Sequence, residues 1–120
     1  MAASDGASVA DQEQDPATDR LELRFTTTSR AGARTVAVVG EVDLTNATEF
    51  ERVLGEAVAG AGSAVVVDLT GVDYLGSEGI RSLVRVHRAA VDLGVAWQVS
   101  PSPIVRRALE VAGLDPWLTP

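Results

Sequence analysis

A serine stands between two glycines in Asp73–Gly79 (DYLGSEG), with Glu78 beside it. The apolar run Ala64–Leu69 (AVVVDL) precedes it and a helical pattern follows. Three kinds of chemistry suit a serine so placed. Ser77 can cap the helix, its hydroxyl accepting from an N–H two or three residues on, a contact worth about 1 kcal/mol. It can accept a phosphoryl group, which adds about −1.5 to −2 of charge and three strong acceptor oxygens. It can also act as a nucleophile, but the surroundings argue against that. A nucleophile elbow needs glycine two residues before the serine, and Leu75 stands there. The single histidine, His87, is ten residues further on. That is about 15 Å of helical rise, too far to activate Ser77. On residue types alone the cap is the commoner role, and the phosphoacceptor stands second.

Glu41 and Asp43 lie in a second polar stretch, Gly40–Asn46 (GEVDLTN). This loop and the loop Thr70–Gly79 (TGVDYLGSEG) that carries Ser77 each follow an apolar run of strand character and lead into a helical pattern. Functional loops of open α/β sheets lie past the carboxyl ends of strands. If the two strands are neighbours, the loops share one rim at two helix amino termini, where free N–H groups and the helix dipole suit an anion. Asp68 and Asp73 invite comparison with phospho-accepting receiver domains. That chemistry also needs an acidic pair after the first strand and a lysine, and the chain has neither. Turn and cap roles explain both aspartates better. Arg81, Arg85 and Arg88 fall on one helical stripe beside Ser77. Such a stripe is either a solvated face or a protein-binding face. Ile80, Leu83, Val84 and Val91 make the opposing core stripe. His87, Trp97 and Trp117 are expected to pack.

These residues need elements to hold them. Leu21, Leu23 and Phe25 alternate with Glu22, Arg24 and Thr26, which predicts a strand with one wet face. SRAGAR is a turn, close enough to join the first two strands as a hairpin. TVAVVGEVD and AVVVDL are continuous β-branched runs, as in strands covered on both faces. The segment LTNATEFERVLGEAVAGAG predicts a helix with Ala47, Phe50, Val53, Leu54, Ala57 and Val58 on one face. Asn46 with Glu49 fits a capping box, Thr45 is a rival cap, and Gly60 and Gly62 end the helix. A second helix runs from Ser77 to a stop at Gly94. VAWQVS is a strand. Ser102, Pro103 and Gly113 bracket a last helix, with Leu114 placed for a Schellman contact. The order β-β-α-β-α-β-α predicts a single-domain α/β fold with a mixed β-sheet and helices packed on it.

Composition limits the function further. The 120 residues suit one domain, and 46% are hydrophobic. Residues 1–19 hold five acidic and no basic residues, and are read as a disordered acidic tail preceding a domain over 20–120. The net charge of −7 argues against nucleic acid as a partner. The absence of cysteine excludes disulfides and thiolate metal sites. All ten basic residues are arginine, which removes Walker-type phosphate lysines and Schiff-base chemistry. No cofactor is implied. No run approaches the roughly 20 apolar residues needed to span a bilayer. The amino terminus lacks a signal-peptide pattern, so no membrane association and a cytoplasmic location are expected.

Three stretches together resemble the STAS domain, specifically the bacterial anti-sigma factor antagonists. VVGEVDLTNATEFERVL is similar to the family's second strand, Gly-Glu-x-Asp loop and first helix. VVVDLTGVDYLGSEGIRSLV is similar to its central block, which usually reads Asp-Ser-x-Gly. GVAWQVSPSPIVRRALEVAGLDPWL is similar to its closing segment. The resemblance implies a non-enzymatic partner switch. The unmodified antagonist captures an anti-sigma factor, a GHKL-type serine kinase, and so frees a sigma factor. The kinase phosphorylates the motif serine and binding is lost, until a PP2C-type phosphatase resets the switch. By position, the resemblance makes Ser77 the phosphoacceptor and Gly79 the motif glycine, with Gly76 where aspartate is usual. Glu41, Asp43, Gly76, Ser77, Glu78, Gly79, Arg81 and Arg85 are then the expected partner-binding residues. The alternatives are a nucleotide- or small-ligand-binding sensor and a STAS subunit of a transport complex.

Overall fold

The computed structural model describes residues 22–118; the tail expected at 1–19, and Leu21 of the first strand pattern, lie outside them. The described elements are β1 (Arg24–Arg30), β2 (Ala33–Val42), α1 (Ala47–Gly60), β3 (Ala64–Leu75), α2 (Ser77–Leu93), β4 (Ala96–Pro101), α3 (Pro103–Val111) and a short 3-10 helix (Asp115–Leu118). The four strands form one sheet in the order β1-β2-β3-β4. β1 and β2 are an antiparallel hairpin, whereas β2, β3 and β4 run parallel. The hairpin turns on Ala31 and Gly32, both at positive φ (53° and 85°). Such a two-residue turn matches the right-handed twist of the strands it joins.

The sheet is buried on one face rather than two. Val36, Val38, Val65, Val67 and Val99 point into the core, while Ala37 and Val66 between them are only half-buried and Val39 is exposed. The expected two-sided cover is therefore absent among the described residues: a β-branched run still alternates when helices cover only one side. Against the buried face pack Phe50, Leu54, Ala57 and Val58 of α1, Leu83, Val86 and Ala90 of α2, and Val105 and Leu109 of α3. On α2 the core stripe runs through Gly79, Leu83, Val86 and Ala90; Val91, expected within it, is 62% exposed.

Helix stops follow the sequence signals. Gly94 adopts the left-handed conformation, and the Val95 N–H reaches the Ala90 carbonyl at 2.9 Å. After α3, Leu114 N–H donates to Leu109 at 2.8 Å and Gly113 N–H to Glu110 at 3.0 Å, the two bonds of a Schellman motif. The Ser102 hydroxyl caps α3, accepting from Val105 N–H at 3.2 Å, and donates to the Val72 carbonyl at 2.7 Å.

β3 is longer than the apolar run that announces it. It continues through Thr70–Leu75, which the sequence pattern assigns to a loop, by inserting one extra residue opposite Ala37–Val39 and another opposite Gly40–Glu41. At the first irregularity the Asp68 carboxylate accepts from the Thr70 N–H at 3.0 Å and the Thr70 hydroxyl at 2.6 Å. An amide beside a break in the ladder is thus satisfied within the strand. Among the described residues no helix is long and apolar enough to cross a membrane.

Candidate functional site

Because β2 and β3 are parallel neighbours, their carboxyl ends arrive at the same rim, Val42 paired with Leu75. The Gly76 N–H then donates to the Val42 carbonyl at 2.9 Å, joining the Asp43–Asn46 loop to the start of α2. The two polar stretches expected to meet do so. Asp43, Leu44, Tyr74, Gly76, Ser77 and Glu78 line a shallow recess of about 330 Å³.

The loop before α1 is held by its own side chains. Asp43 Oδ1 accepts from the Thr45 N–H at 2.9 Å and from the Thr45 hydroxyl at 2.6 Å, the same arrangement that Asp68 makes with Thr70. Asn46 Oδ1 accepts from the Asp43 N–H at 2.9 Å, and its Nδ2 donates to the Glu41 carbonyl at 2.9 Å. The expected capping box is therefore not formed. Asn46 occupies the cap position of α1 but makes no side-chain cap, since its amide is committed to the preceding loop. Thr45, the rival cap, spends its hydroxyl on Asp43. Glu49 instead pairs with Arg52 at 2.9 Å. Glu49, with Glu56 on the other side, raises the pKa of the exposed Arg52 guanidinium.

Ser77 is the first residue of α2, not its cap. Gly76 holds the cap position in an extended conformation and brings no side chain. Ser77 is exposed on the recess, and among the described residues its hydroxyl makes no hydrogen bond. The commoner reading of this serine thus gives way: its hydroxyl is not used to close the helix. Gly76 sits under Tyr74, where an added Cβ would lie 3.2 Å from the ring and the phenol oxygen. The aspartate usual at this motif position would share that space with Tyr74.

Gly79 is buried rather than partner-facing. A Cβ there would stand 2.5 Å from Leu75 Cδ1 and 2.8 Å from Val42 Cγ1. Its bareness lets α2 settle on the ends of β2 and β3, so it supports the rim from below. Glu41 is half-buried at the end of β2, opposite Tyr74.

The arginine stripe divides. Arg81 pairs with Glu78 at 2.8 Å beside the recess. Arg85 turns to Glu51 of α1 at 2.8 Å; Glu51 also lies 3.1 Å from the buried Ser82 hydroxyl, which is 3.3 Å from the Ala47 carbonyl. Arg85 therefore ties α1 to α2. His87 packs on Trp117 and Trp97, with ring centroids 4.6 and 5.5 Å apart. It is a packing residue, as expected. The Trp97 indole N–H is buried with no hydrogen-bond partner among the described residues. Among those residues no group of three or more histidines and carboxylates is placed to hold a metal.

Two further residues of the recess are ones that sequence pattern does not single out. Leu44 is 76% exposed and Tyr74 50% exposed, large apolar side chains flanking Ser77. The only sequence signal was an apolar residue inside each polar loop, Asp43-Leu44-Thr45 and Asp73-Tyr74-Leu75.

Known proteins carry the same frame. The STAS domain family model matches residues 24–120. The anti-sigma-F factor antagonist RsfB of Mycobacterium tuberculosis is 33% identical over 96 residues, 78% of this chain and 76% of that protein. An anti-sigma factor antagonist from Mycobacterium paratuberculosis superposes with a TM-score of 0.73 at 28% identity, over 81% of this chain and 83% of the other. The anti-sigma factor antagonist SpoIIAA, in its unphosphorylated form, shares the fold at a TM-score of 0.68 and 19% identity, over 80% and 86% of the two chains. With the family model running from the first residue of β1 to the end of the chain, and a relative one-third identical over 96 residues, the chain belongs to the STAS domain family.

Proposed function

We propose that this chain is an anti-sigma factor antagonist whose docking to an anti-sigma factor is switched by phosphorylation of Ser77. The observation that carries the reading is the exposed Ser77 hydroxyl at the start of α2, without a hydrogen bond among the described residues, in a recess flanked by the apolar side chains of Leu44 and Tyr74. RsfB and the Mycobacterium paratuberculosis protein, both named as anti-sigma factor antagonists, support it.

In the unmodified state the recess offers a partner two apolar anchors and a neutral hydroxyl. Burying Leu44 and Tyr74 supplies the apolar contact that interface centres use. A GHKL-type kinase would phosphorylate the site by direct transfer from ATP. Ser77 Oγ bonds to the γ-phosphorus of ATP, the bond from that phosphorus to the bridging oxygen of ADP breaks, and the hydroxyl proton passes to a base on the kinase. The chain supplies only the acceptor and is not itself an enzyme. The product places about −1.5 to −2 of charge between Leu44 and Tyr74, beside the carboxylates of Asp43 and Glu78. Docking must then desolvate that charge, which opposes it. A PP2C-type phosphatase restores the hydroxyl, and the exchange takes place in the cytoplasm. The nucleotide-sensor alternative is disfavoured by the same recess, since Asp43 and Glu78 would face a nucleotide phosphate.

Incubation with the cognate anti-sigma kinase and ATP, followed by peptide mapping, tests the modification. A single phosphate on Ser77 is expected. Phosphate on another residue, or none, would remove the switch.

A further inference from the structure

The ion pair beside Ser77 suggests how the modified serine is held. We infer that Arg81 exchanges partners on phosphorylation, leaving Glu78 for the Ser77 phosphate. This rests on the phosphoacceptor reading of Ser77. Arg81 lies one helical turn beyond Ser77, an i,i+4 pair on one face of α2. Side chains on a helix lean toward its amino terminus, so Arg81 reaches back over the first turn. There it meets the Glu78 carboxylate at 2.8 Å.

That pair is free to break. Arg81 is 62% exposed and Glu78 34% exposed, and the two stand three residues apart on the same helix. Exposed pairs of this kind contribute little. Arg85 differs, because its carboxylate partner Glu51 belongs to α1 and also meets the Ser82 hydroxyl. Of the two arginines, only Arg81 combines reach with a weak prior commitment. A phosphate dianion offers it more charge and more acceptor oxygens than Glu78, and guanidinium–phosphate contacts are among the stronger hydrogen bonds.

The consequence is electrostatic. Before modification Arg81 neutralises Glu78, so the start of α2 presents no net charge from this pair. Afterwards Arg81 offsets one charge of the phosphate and Glu78 is left bare. The charged groups of the recess are Glu78 and Asp43, with the Tyr74 phenol beside them, and Arg81 reaches it from the next turn through its pair with Glu78. Arg81 favours the dianion and lowers the second ionisation of the phosphate; the two carboxylates act in the opposite sense.

The test uses the full chain with phosphoserine installed at position 77 during translation, so no kinase is required. Failure of the kinase experiment and failure of this one are thereby separate results. Phosphorus NMR follows the phosphate ionisation against pH. Arg81→Gln is expected to move its midpoint upward by about half a pH unit, the loss of one positive charge at roughly 5 Å in water. Glu78→Gln is expected to move it downward, and Arg85→Gln to leave it in place. Thermal unfolding of each variant establishes that the fold is intact. A midpoint that ignores Arg81→Gln, or that responds equally to Arg81→Gln and Arg85→Gln, would overturn the exchange.

Discussion

Two alanine substitutions in helical glycines should change stability in opposite directions. Gly79 lies in the first turn of α2, and a methyl there would approach Leu75 Cδ1 to 2.5 Å and Val42 Cγ1 to 2.8 Å. Carbon atoms in comfortable contact lie about 3.5–4.0 Å apart, so each neighbour must give by about 1 Å. Both neighbours are buried strand ends with little room. Overpacking of this kind costs about 1–3 kcal/mol, against a helix preference for alanine over glycine of about 0.8–1.0 kcal/mol. Gly79→Ala should therefore lose up to about 2 kcal/mol, a fall in Tm of up to about 16 °C for a domain of this size. Gly55, inside α1, has nothing within 4 Å of the added methyl. Gly55→Ala should gain about 0.5–1 kcal/mol. Urea and thermal unfolding of the full chain measure both. Equal signs for the two variants would refute the packing role given to Gly79. The Gly79 variant should also weaken partner docking, because Val42 and Leu75 carry the rim on which the Gly76–Val42 hydrogen bond closes.

Other substitutions probe separate parts of the structure. Ala31, at φ 53°, occupies a conformation that suits asparagine better, so Ala31→Asn should raise stability by about 0.5–1 kcal/mol in urea unfolding. Asn46→Ala removes one accepted and one donated bond in the Glu41–Asn46 loop and should cost about 1–3 kcal/mol, more than a simple cap would. Leu44→Ala should leave unfolding within about 0.5 kcal/mol of the parent, because Leu44 is 76% exposed, whereas Tyr74→Ala, at a ring half in water, should cost about 1 kcal/mol. Each should nonetheless weaken binding to the anti-sigma partner by about tenfold in calorimetry.

The order of elements was readable because each signal had a single physical meaning. Gly94 and Gly113 had to end helices, Ser102 with Pro103 had to begin one, and Phe50, Leu54, Ala57 and Val58 had to share a buried face. Misreadings arose where one residue type serves two purposes. Gly71 and Asp73 look like loop residues, yet here they belong to an irregular strand whose local breaks resemble turns in composition. Asn46 is a good helix cap by type, but the Asp43 N–H and the Glu41 carbonyl claim its amide first. Ser77 looked like a cap for the same reason, and Gly76 takes that place because the chain enters α2 one residue earlier. Val91 has the hydrophobicity of a core residue, but the core stripe of α2 passes through Val86 and Ala90 and leaves it in solvent. Leu44 and Tyr74 carry no sequence signal of their exposure, because an apolar residue in a polar loop has no periodic signature.

The rim itself followed from topology. Once β2 and β3 were neighbours and parallel, Asp43 and Ser77 had to meet, because each follows the carboxyl end of its strand. What pattern alone left open was which side chains face outward there. Gly79 faces inward, Arg85 is engaged with α1, and the outward set is Asp43, Leu44, Tyr74, Ser77, Glu78 and Arg81.

Calorimetric titration of the anti-sigma partner with unmodified chain, Ser77→Ala, and chain carrying phosphoserine at 77 tests the switch most directly. Unmodified chain and Ser77→Ala should bind alike, and the phosphorylated form at least ~100-fold more weakly, the scale expected when like charge is forced into an interface. Equal affinity for all three forms would contradict it.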